Sequence, residues 1–496
     1  MPYPKPRDEP LEHTTARRAM AALALLFLIK TAALALFVTP LWEVPDEPGH
    51  YAYVLDLTER RGFPIYGKTP LPAEVIASWK VSAAERPPFN WVAQHPPLYH
   101  LLAAPFLLGA RQVTDDAEWR LRAPRLFSVL AGTAALLLFF LAFREATGDP
   151  AFALFGAGAV SFLPMYTHLS SGTHHEVLVA LAMGAAALFF ARLVRTGKFS
   201  DGMRMALVLA AAGATKLTAV PVALALLALT PKHLAGKGGN KFFQWLGIAA
   251  TALSLPALWA FRNFSTSGHP LAYPAGRSFR LSELLEHMKE QPVLDHTFKN
   301  FLGLIGWTGT GELRWFQISG PYLALYLALG IIVAVSAAAW LWKSVKWGRA
   351  LFVAVFGLVF FGLLPAGGPP GGLAKHLLYA LFAALPFFCL PALLRKATPR
   401  EEIVRSCLFV VLFFGSAYLA NVWRGLAIYG EMRAVHGRYF FAVLPFAVLA
   451  LAYPAVLLWK ERKRRDLALL LVLLALLLNE SAFFLFKVLP FYRAAS

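Results

Sequence analysis

Two adjacent carboxylates, Asp46 and Glu47, lie between Pro45 and Pro48 directly after the first long apolar segment of the chain. Burial and mutual repulsion can bring one carboxylate of such a pair into the range where it accepts a proton, as a general base does. A helix end with two solvated acids has the same sequence, so the pair alone leaves both interpretations open. Neighbouring side chains point in different directions, so only one of the two should face a cavity.

A second polar cluster, residues 166–176, contains His168, His174, His175 and Glu176. Imidazoles and carboxylates bind metals, but this cluster lacks the second histidine of the His-Glu-x-x-His motif of zinc proteases. No cofactor is required by the pattern. It fits either a site for a divalent cation or the polar lining of a cavity in which Glu176 is a second acid.

The elements that position these groups are membrane-spanning helices. Of the 496 residues, 58% are hydrophobic and only 15% are charged, and the formal net charge is +19. Soluble domains carry about 25% charged residues. The basic residues form short clusters between apolar runs, as the positive-inside rule requires, so no nucleic-acid partner is expected. Cys389 and Cys407 do not have the spacing of a metal or redox pair.

The apolar runs predict an all-α polytopic membrane protein with about 13 transmembrane helices. The predicted spans are residues 20–38, 126–143, 151–166, 177–193, 205–214, 217–229, 242–261, 321–342, 351–364, 376–394, 404–422, 439–459 and 467–489. The basic clusters around Arg17, Arg144 and Lys463 then share one side, which places the N-terminus in the cytoplasm. An Ala- and Leu-rich chain with compact cytoplasmic loops indicates a bacterial inner (plasma) membrane.

Two long segments are predicted on the outer side of a single domain, residues 1–496. Residues 39–125 form the first external loop, which contains the acid pair, and residues 262–320 form the second. The apolar run at residues 96–108 is too short to span the bilayer and begins with two prolines, so it predicts a helix in the outer interface.

Several cations are predicted at the outer ends of spans, against the usual trend. They are Arg120, Arg122, Arg125, Lys216, Arg262, Lys375, Arg433 and Arg438. Each alone can bind a lipid headgroup, whereas together they can hold a phosphate at the membrane surface. Lys30 and Glu480 are predicted inside the membrane, where charge usually has a paired or functional role.

In their order along the chain, these motifs resemble those of the GT-C membrane glycosyltransferases, most closely the branch with protein O-mannosyltransferases and the bacterial lipid A aminoarabinose transferase. The similar segments are residues 45–47, 94–99, 125–130, 175–176, 213–216, 262–271 and 437–439. His175 and Glu176 replace the usual Asn-Asp of that family.

The resemblance implies an enzyme that takes a sugar from a polyprenyl-phosphate carrier and transfers it, with inversion, to a hydroxyl of a lipid, glycan or protein on the outer face. The expected partners are therefore this donor, the acceptor and membrane lipids. The candidate catalytic residues are Asp46, Glu47 and Glu176, and the candidate substrate-binding residues are Arg125, Lys216, Arg262, His95, His175 and Arg438.

Two other functions fit a polytopic protein. A transporter or lipid flippase should show paired repeats and acids near the bilayer midplane, whereas the acids here cluster at one surface and the two halves show no evident symmetry. A membrane scaffold would need neither the acid pair nor the outward cations. The sequence therefore favours the glycosyltransferase.

Overall fold

The computed structural model describes residues 10–79, 81–82, 86–235, 238–272, 293–306, 315–344, 397–429 and 435–495. Within these ranges the regular secondary structure is helical, apart from a two-residue antiparallel pairing of Leu304–Ile305 with Phe316–Gln317. The predicted spans at residues 351–364 and 376–394 lie outside the described residues, as do Lys375, Arg433 and Cys389.

The described residues form 19 α-helices. In the first half they are Pro10–Ala33, Glu47–Thr58, Ala73–Ser78, Leu98–Val113, Ala117–Arg122, Arg125–Thr147, Pro150–Ser161, Pro164–Ser170, Glu176–Thr196, Phe199–Gly213, Val220–His233 and Gly238–Ser267. They continue with Val293–Gly303, Gly320–Ser344, Pro399–Tyr429, Leu444–Ala447, Tyr453–Leu457, Arg462–Phe483 and Leu489–Ala495. Short 3₁₀ turns occupy Trp91–Gln94, Leu217–Ala219 and Gly437–Ala442, and π-helical turns occupy Leu34–Val38, Val448–Ala452 and Phe484–Val488.

The protein is an all-α, multi-pass membrane protein. Among the residues described, seven helices are long and apolar enough to span a bilayer, or eight if a bent pair is one span. The count of 13 and the cytoplasmic N-terminus stay predictions. The spans at residues 176–196 and 399–422 form the interior, where 72% of their most apolar segments is buried. The spans at the periphery of the bundle have only 17% to 28% of these segments buried, and they are residues 14–38, 239–267, 320–340 and 462–494. The exposed apolar faces are those that lipid would cover.

The bent pair replaces the predicted straight span at residues 151–166. The Pro150–Ser161 and Pro164–Ser170 helices meet at an angle of 69°. Leu163 is extended because a residue before proline avoids the helical conformation, and Pro164 then begins the next helix. The bend brings residues 171–175 to the end of the bundle that is covered by the cap, the segment between the first span and Arg125, and there they continue into the Glu176–Thr196 helix.

Lys30 and Glu480 meet inside the bundle. Lys30 Nζ donates to both Glu480 carboxylate oxygens at 2.8 Å and to Thr167 Oγ1 at 3.0 Å. Glu480 also accepts a hydrogen bond from Thr167 Oγ1. The pair therefore joins the first and last spans to the bent pair, because charges in an apolar environment require such compensation.

The residues between the first span and Arg125 fold into a cap on one end of the helix bundle. The Glu47–Thr58 helix packs against the Leu98–Val113 helix. This second helix confirms the helical part of the prediction for residues 96–108, while its place in the membrane interface stays a prediction. The predicted second external segment begins within the Gly238–Ser267 helix, and its residues 273–292 and 307–314 lie outside the described ranges.

The predicted orientation can be tested at two exposed lysines. Lys68 belongs to the cap, and Lys463 is the second residue of the Arg462–Phe483 helix. In a background without natural cysteines, we expect Lys68→Cys in intact cells to react with a membrane-impermeant maleimide and Lys463→Cys to react only after the cells are opened. Reaction of both from the same side would contradict the predicted topology.

Candidate active site

Asp46 lies in a left-handed backbone conformation, with φ of 61°, and precedes the first residue of the Glu47–Thr58 helix. Aspartate tolerates this conformation better than most residues, and such positions often occur at functional sites. Trp91 Nε1 donates to Asp46 Oδ1 at 2.9 Å, and Arg438 Nη2 donates to Oδ2 at 2.5 Å. The Asp46 side chain keeps 20% of its surface exposed, so the carboxylate is fixed but accessible.

Glu47 points in a different direction and is buried. Its carboxylate forms a two-pronged ion pair with Arg125, at 2.7 and 2.8 Å, and accepts the backbone N–H groups of Trp42 and Thr173. The Arg125 guanidinium also donates to the carbonyls of Ala35, Thr39 and Pro40. This fully hydrogen-bonded pair fastens the start of the cap to the first span, next to Asp46 in the sequence.

Arg438 reaches Asp46 because Gly437 allows a close backbone approach. A Cβ at Gly437 would collide with the backbone of Thr297 and Phe301, so a larger residue would displace the 3₁₀ turn that carries Arg438. Arg438 is 3% exposed, and its Nε and Nη1 have no hydrogen-bond partner within the described ranges. Unpaired buried donors are costly, so these two atoms identify a place where an acceptor group can bind.

A second ion pair, between Lys216 and Glu176, lies beside the first. Lys216 Nζ donates to Glu176 Oε1 and lies 4.3 Å from the ring centre of Tyr439, the residue after Arg438. Glu176 begins its helix and is buried, and its Oε2 has no partner among the described residues. Burial lowers the pKa of Lys216, and the Glu176 carboxylate opposes this effect.

Five histidines line the same region. His50 Nδ1 and His100 Nε2 are 3.0 Å apart, and the His50 ring lies edge-on to those of His174 and His175, at centroid distances of 4.8 and 4.4 Å. The ring centroids of His95 and His175 are 4.6 Å apart. Burial is the main cause that lowers the pKa of all five, so the rings are neutral near pH 7.

Three of these histidines form a group that could hold a metal ion. One ring nitrogen from each of His50, His174 and His175 lies within 4.8 Å of the others. His168, the third histidine of the sequence cluster, lies apart, where its Nδ1 contacts the Tyr492 hydroxyl at 3.1 Å. Glu176 is not in the group of potential ligands found among the described residues.

The structure brings together most of the residues predicted for the site: Asp46, Glu176, Lys216, His95, His175 and Arg438. Arg262 lies elsewhere, in the Gly238–Ser267 helix, where it donates to the Phe63 and Pro64 carbonyls of the cap and lies over the Trp259 ring. Arg122 donates to the Ala35 and Thr39 carbonyls, next to the buried pair of Arg125.

Sequence reasoning assigned no role to His50, His100, Trp91 or Tyr439. His50 lies four residues after Asp46, which is one turn of the Glu47–Thr58 helix, so it reaches the same side of the site. That spacing was a usable signal. The other three residues depend on contacts between distant segments.

The arrangement combines an accessible carboxylate, two buried cations and free guanidinium donors. Such a site can accept a proton from a hydroxyl and stabilise an anionic leaving group in one place. Its charges balance, because Asp46 and Glu176 offset Arg438 and Lys216. An arriving anion therefore meets buried donors without a net repulsive charge.

Residues 94–259, about a third of the chain, match the family model described as dolichyl-phosphate-mannose-protein mannosyltransferase. No curated protein sequence matches the chain. The match confirms the resemblance to the GT-C membrane glycosyltransferases that the motifs predict, and it covers His95, Arg125, His175, Glu176 and Lys216.

Three solved structures are similar at low identity. The protein O-mannosyltransferase Pmt1-Pmt2 complex of S. cerevisiae, bound to its sugar donor, is 16% identical with a TM-score of 0.35 over 51% of this chain, which spans about a third of the yeast chain (34%). ArnT from Cupriavidus metallidurans, bound to undecaprenyl phosphate, is 13% identical with a TM-score of 0.35 over 88% of this chain and 77% of its own. The oligosaccharyltransferase of Archaeoglobus fulgidus, in complex with Zn and sulfate, is 16% identical with a TM-score of 0.42 over 93% of this chain and 52% of its own.

Proposed function

We propose that this relative of the membrane mannosyltransferases transfers a sugar from a polyprenyl-phosphate carrier to a hydroxyl of a lipid, glycan or protein, with inversion, on the outer face of a bacterial inner membrane. The observation that carries the proposal is the contact between Asp46 and Arg438. It joins an accessible carboxylate to a guanidinium that has two free donors.

Asp46 is the proposed general base. Its position is set by hydrogen bonds from Trp91 and Arg438, whereas Glu47 is held in a buried ion pair with Arg125. The acceptor hydroxyl transfers its proton to the Asp46 carboxylate as its oxygen attacks the anomeric carbon of the sugar. The bond between that carbon and the carrier phosphate breaks on the opposite side, which inverts the configuration.

Arg438 and Lys216 are the proposed ligands of the carrier phosphate. Arg438 can donate Nε–H and Nη1–H to phosphate oxygens while Nη2 stays on Asp46. Lys216 can move from Glu176 towards the phosphate, since the two cations lie close enough for Arg438 to lower the pKa of Lys216. Charge-assisted hydrogen bonds in a buried site stabilise the negative charge that develops on the leaving phosphate.

The test is direct transfer of labelled sugar. Purified protein in detergent is incubated with a panel of synthetic polyprenyl-phosphate sugars and a membrane-extract acceptor pool. We expect release of the carrier phosphate from at least one donor and an equal amount of label in the acceptor. Failure of the whole panel, with nucleotide sugars accepted instead, would contradict the proposal.

The phosphate ligands give a prediction of their own. We expect Arg438→Met and Lys216→Met to weaken binding of a sugar-free polyprenyl phosphate by about 10-fold to 100-fold each, because a hydrogen bond to a charged group contributes about 1.5–3 kcal/mol. Binding is measured by fluorescence of a labelled carrier. Arg262→Met is the matched control, since Arg262 contacts backbone carbonyls of the cap. Equal losses in all three variants would contradict the assignment.

A transporter or flippase is less well supported. The intramembrane acid Glu480 is already bound by Lys30 and Thr167, so it has the environment of a structural pair. The free donors and the accessible carboxylate lie instead at the ends of spans, in contact with the cap. This distribution suits chemistry on a lipid-linked headgroup better than movement through the bilayer.

A further inference from the structure

We infer that His50, His174 and His175 form a binding site for a late first-row transition metal, with Zn²⁺ as the best fit. The three offer ring nitrogens within 4.8 Å of one another, and all three side chains are buried. This inference deepens the proposed function, because His175 directly precedes Glu176, which is paired with Lys216 of the proposed site. Its test, however, measures metal and does not depend on sugar transfer.

Two of the three ligands have a buried nitrogen without a partner. His174 Nε2 and His175 Nδ1 form no hydrogen bond with any described residue. Buried polar atoms are normally satisfied, so two such atoms on neighbouring residues that converge on a third imidazole need an explanation. A metal ion satisfies them together.

The third ligand is oriented by another histidine. His50 Nδ1 lies 3.0 Å from His100 Nε2. If His50 donates its Nδ1–H in this contact, its Nε2 carries the free electron pair that a metal needs. A metal-bound histidine usually donates its other N–H to such an outer partner, which fixes the ring and its tautomer.

The distances require a small adjustment. Zn–N bonds of about 2.0–2.1 Å place tetrahedral ligand atoms about 3.3 Å apart. The ring nitrogens must therefore move by about 1 Å from the described arrangement. His174 Nδ1 accepts the Glu176 N–H at 3.2 Å, and metal on His174 Nε2 would have to break this contact. That amide belongs to the first turn of a helix, where N–H groups have no helical partner and can bind water.

Charge and ligand type together select the metal. The nearby cations Lys216 and Arg438 are each paired with a carboxylate, so the surroundings have no net positive charge to repel an ion. Three imidazole nitrogens suit Zn²⁺ and related metals, whereas Mg²⁺ and Ca²⁺ prefer oxygen ligands. The site should therefore discriminate strongly against Mg²⁺.

The experiment uses the full-length protein in detergent, stripped with a chelator. After addition of Zn²⁺ and desalting, we expect one Zn²⁺ per chain by elemental analysis, and an excess of Mg²⁺ should not displace it. Co²⁺ should give the intense visible absorption of a tetrahedral nitrogen site. His50→Gln, His174→Gln and His175→Gln should each weaken Zn²⁺ binding by about 100-fold or more, and His100→Phe, which removes only the outer partner, by about 10-fold to 100-fold.

His233→Gln is the control, because the His233 side chain lies at a different helix end, next to Glu402, with 5% of its surface exposed. Folding of every variant is checked by its melting temperature and by retained binding of a labelled polyprenyl phosphate. Zn²⁺ binding that is absent, or equally strong in the three ligand variants and the control, would overturn the site. Transfer of sugar by a protein that binds no Zn²⁺ would overturn the metal site alone. Stoichiometric Zn²⁺ binding without transfer from any donor would support the metal site and contradict the proposed function.

Discussion

Asp46→Asn is expected to slow sugar transfer by about 100-fold to 10,000-fold, which is the usual effect of losing a general base. The amide keeps the size of the side chain and can accept the Trp91 N–H, but it cannot take a proton from the acceptor. Donor turnover at saturating polyprenyl-phosphate sugar measures the effect. Because Asn carries no charge, the Arg438 contact weakens as well, so binding of the carrier must be measured in parallel.

Asp56→Asn provides the matched comparison. Asp56 is a buried acid in the Glu47–Thr58 helix, which begins directly after Asp46. Burial raises the pKa of Asp56 to about 6. Its carboxylate is paired with Arg61, and none of its contacts among the described residues is with the proposed site. We expect Asp56→Asn to retain turnover within a few-fold of the unaltered protein. Near-normal turnover in Asp46→Asn would exclude Asp46 as the base and leave Glu176 as the remaining candidate acid of the site.

The choice between Asp46 and Glu47 shows what the sequence could establish. The sequence predicts that only one of two adjacent acids faces a cavity, and the structure places Asp46 with accessible surface and Glu47 in a buried ion pair. The partners could not be predicted in this way. Arg438 is 392 residues from Asp46, and Arg125 is 78 residues from Glu47, so the pairings exist only after the helices pack.

The same limit applies to the fold, because the spans could be predicted from the sequence and their packing could not. Long apolar runs identified the spans at residues 14–38, 176–196 and 462–494, because hydrophobicity over about 20 residues is a local property. The bend between Ser161 and Pro164 was missed, although Pro164 itself was visible in the sequence. A proline ends a helix locally, but the direction of the next helix depends on what it packs against. The Lys30–Glu480 contact likewise depends on packing between the two ends of the chain.

Arg125→Met is expected to lower the free energy of unfolding by about 3–5 kcal/mol, because it leaves the buried Glu47 carboxylate without its counter-ion. It also removes donors from the carbonyls of Ala35, Thr39 and Pro40, where the first span joins the cap. Unfolding of the purified protein with increasing SDS in mixed micelles measures the loss.

The double variant Glu47→Gln/Arg125→Met separates the ion pair from the other contacts. It removes both charges, so we expect it to be more stable than Arg125→Met alone, since the largest cost of the single change is an unpaired buried charge. At temperatures where Arg125→Met is folded, its affinity for a labelled polyprenyl phosphate should stay close to that of the unaltered protein. A variant with normal stability and a large loss of carrier affinity would instead make Arg125 a phosphate ligand, as its place among the outward cations of the sequence first suggested. The two outcomes exclude each other because a fully buried guanidinium can pair with either Glu47 or a phosphate. The contacts of Arg125 with Glu47 and Ala35 already use all three of its nitrogens.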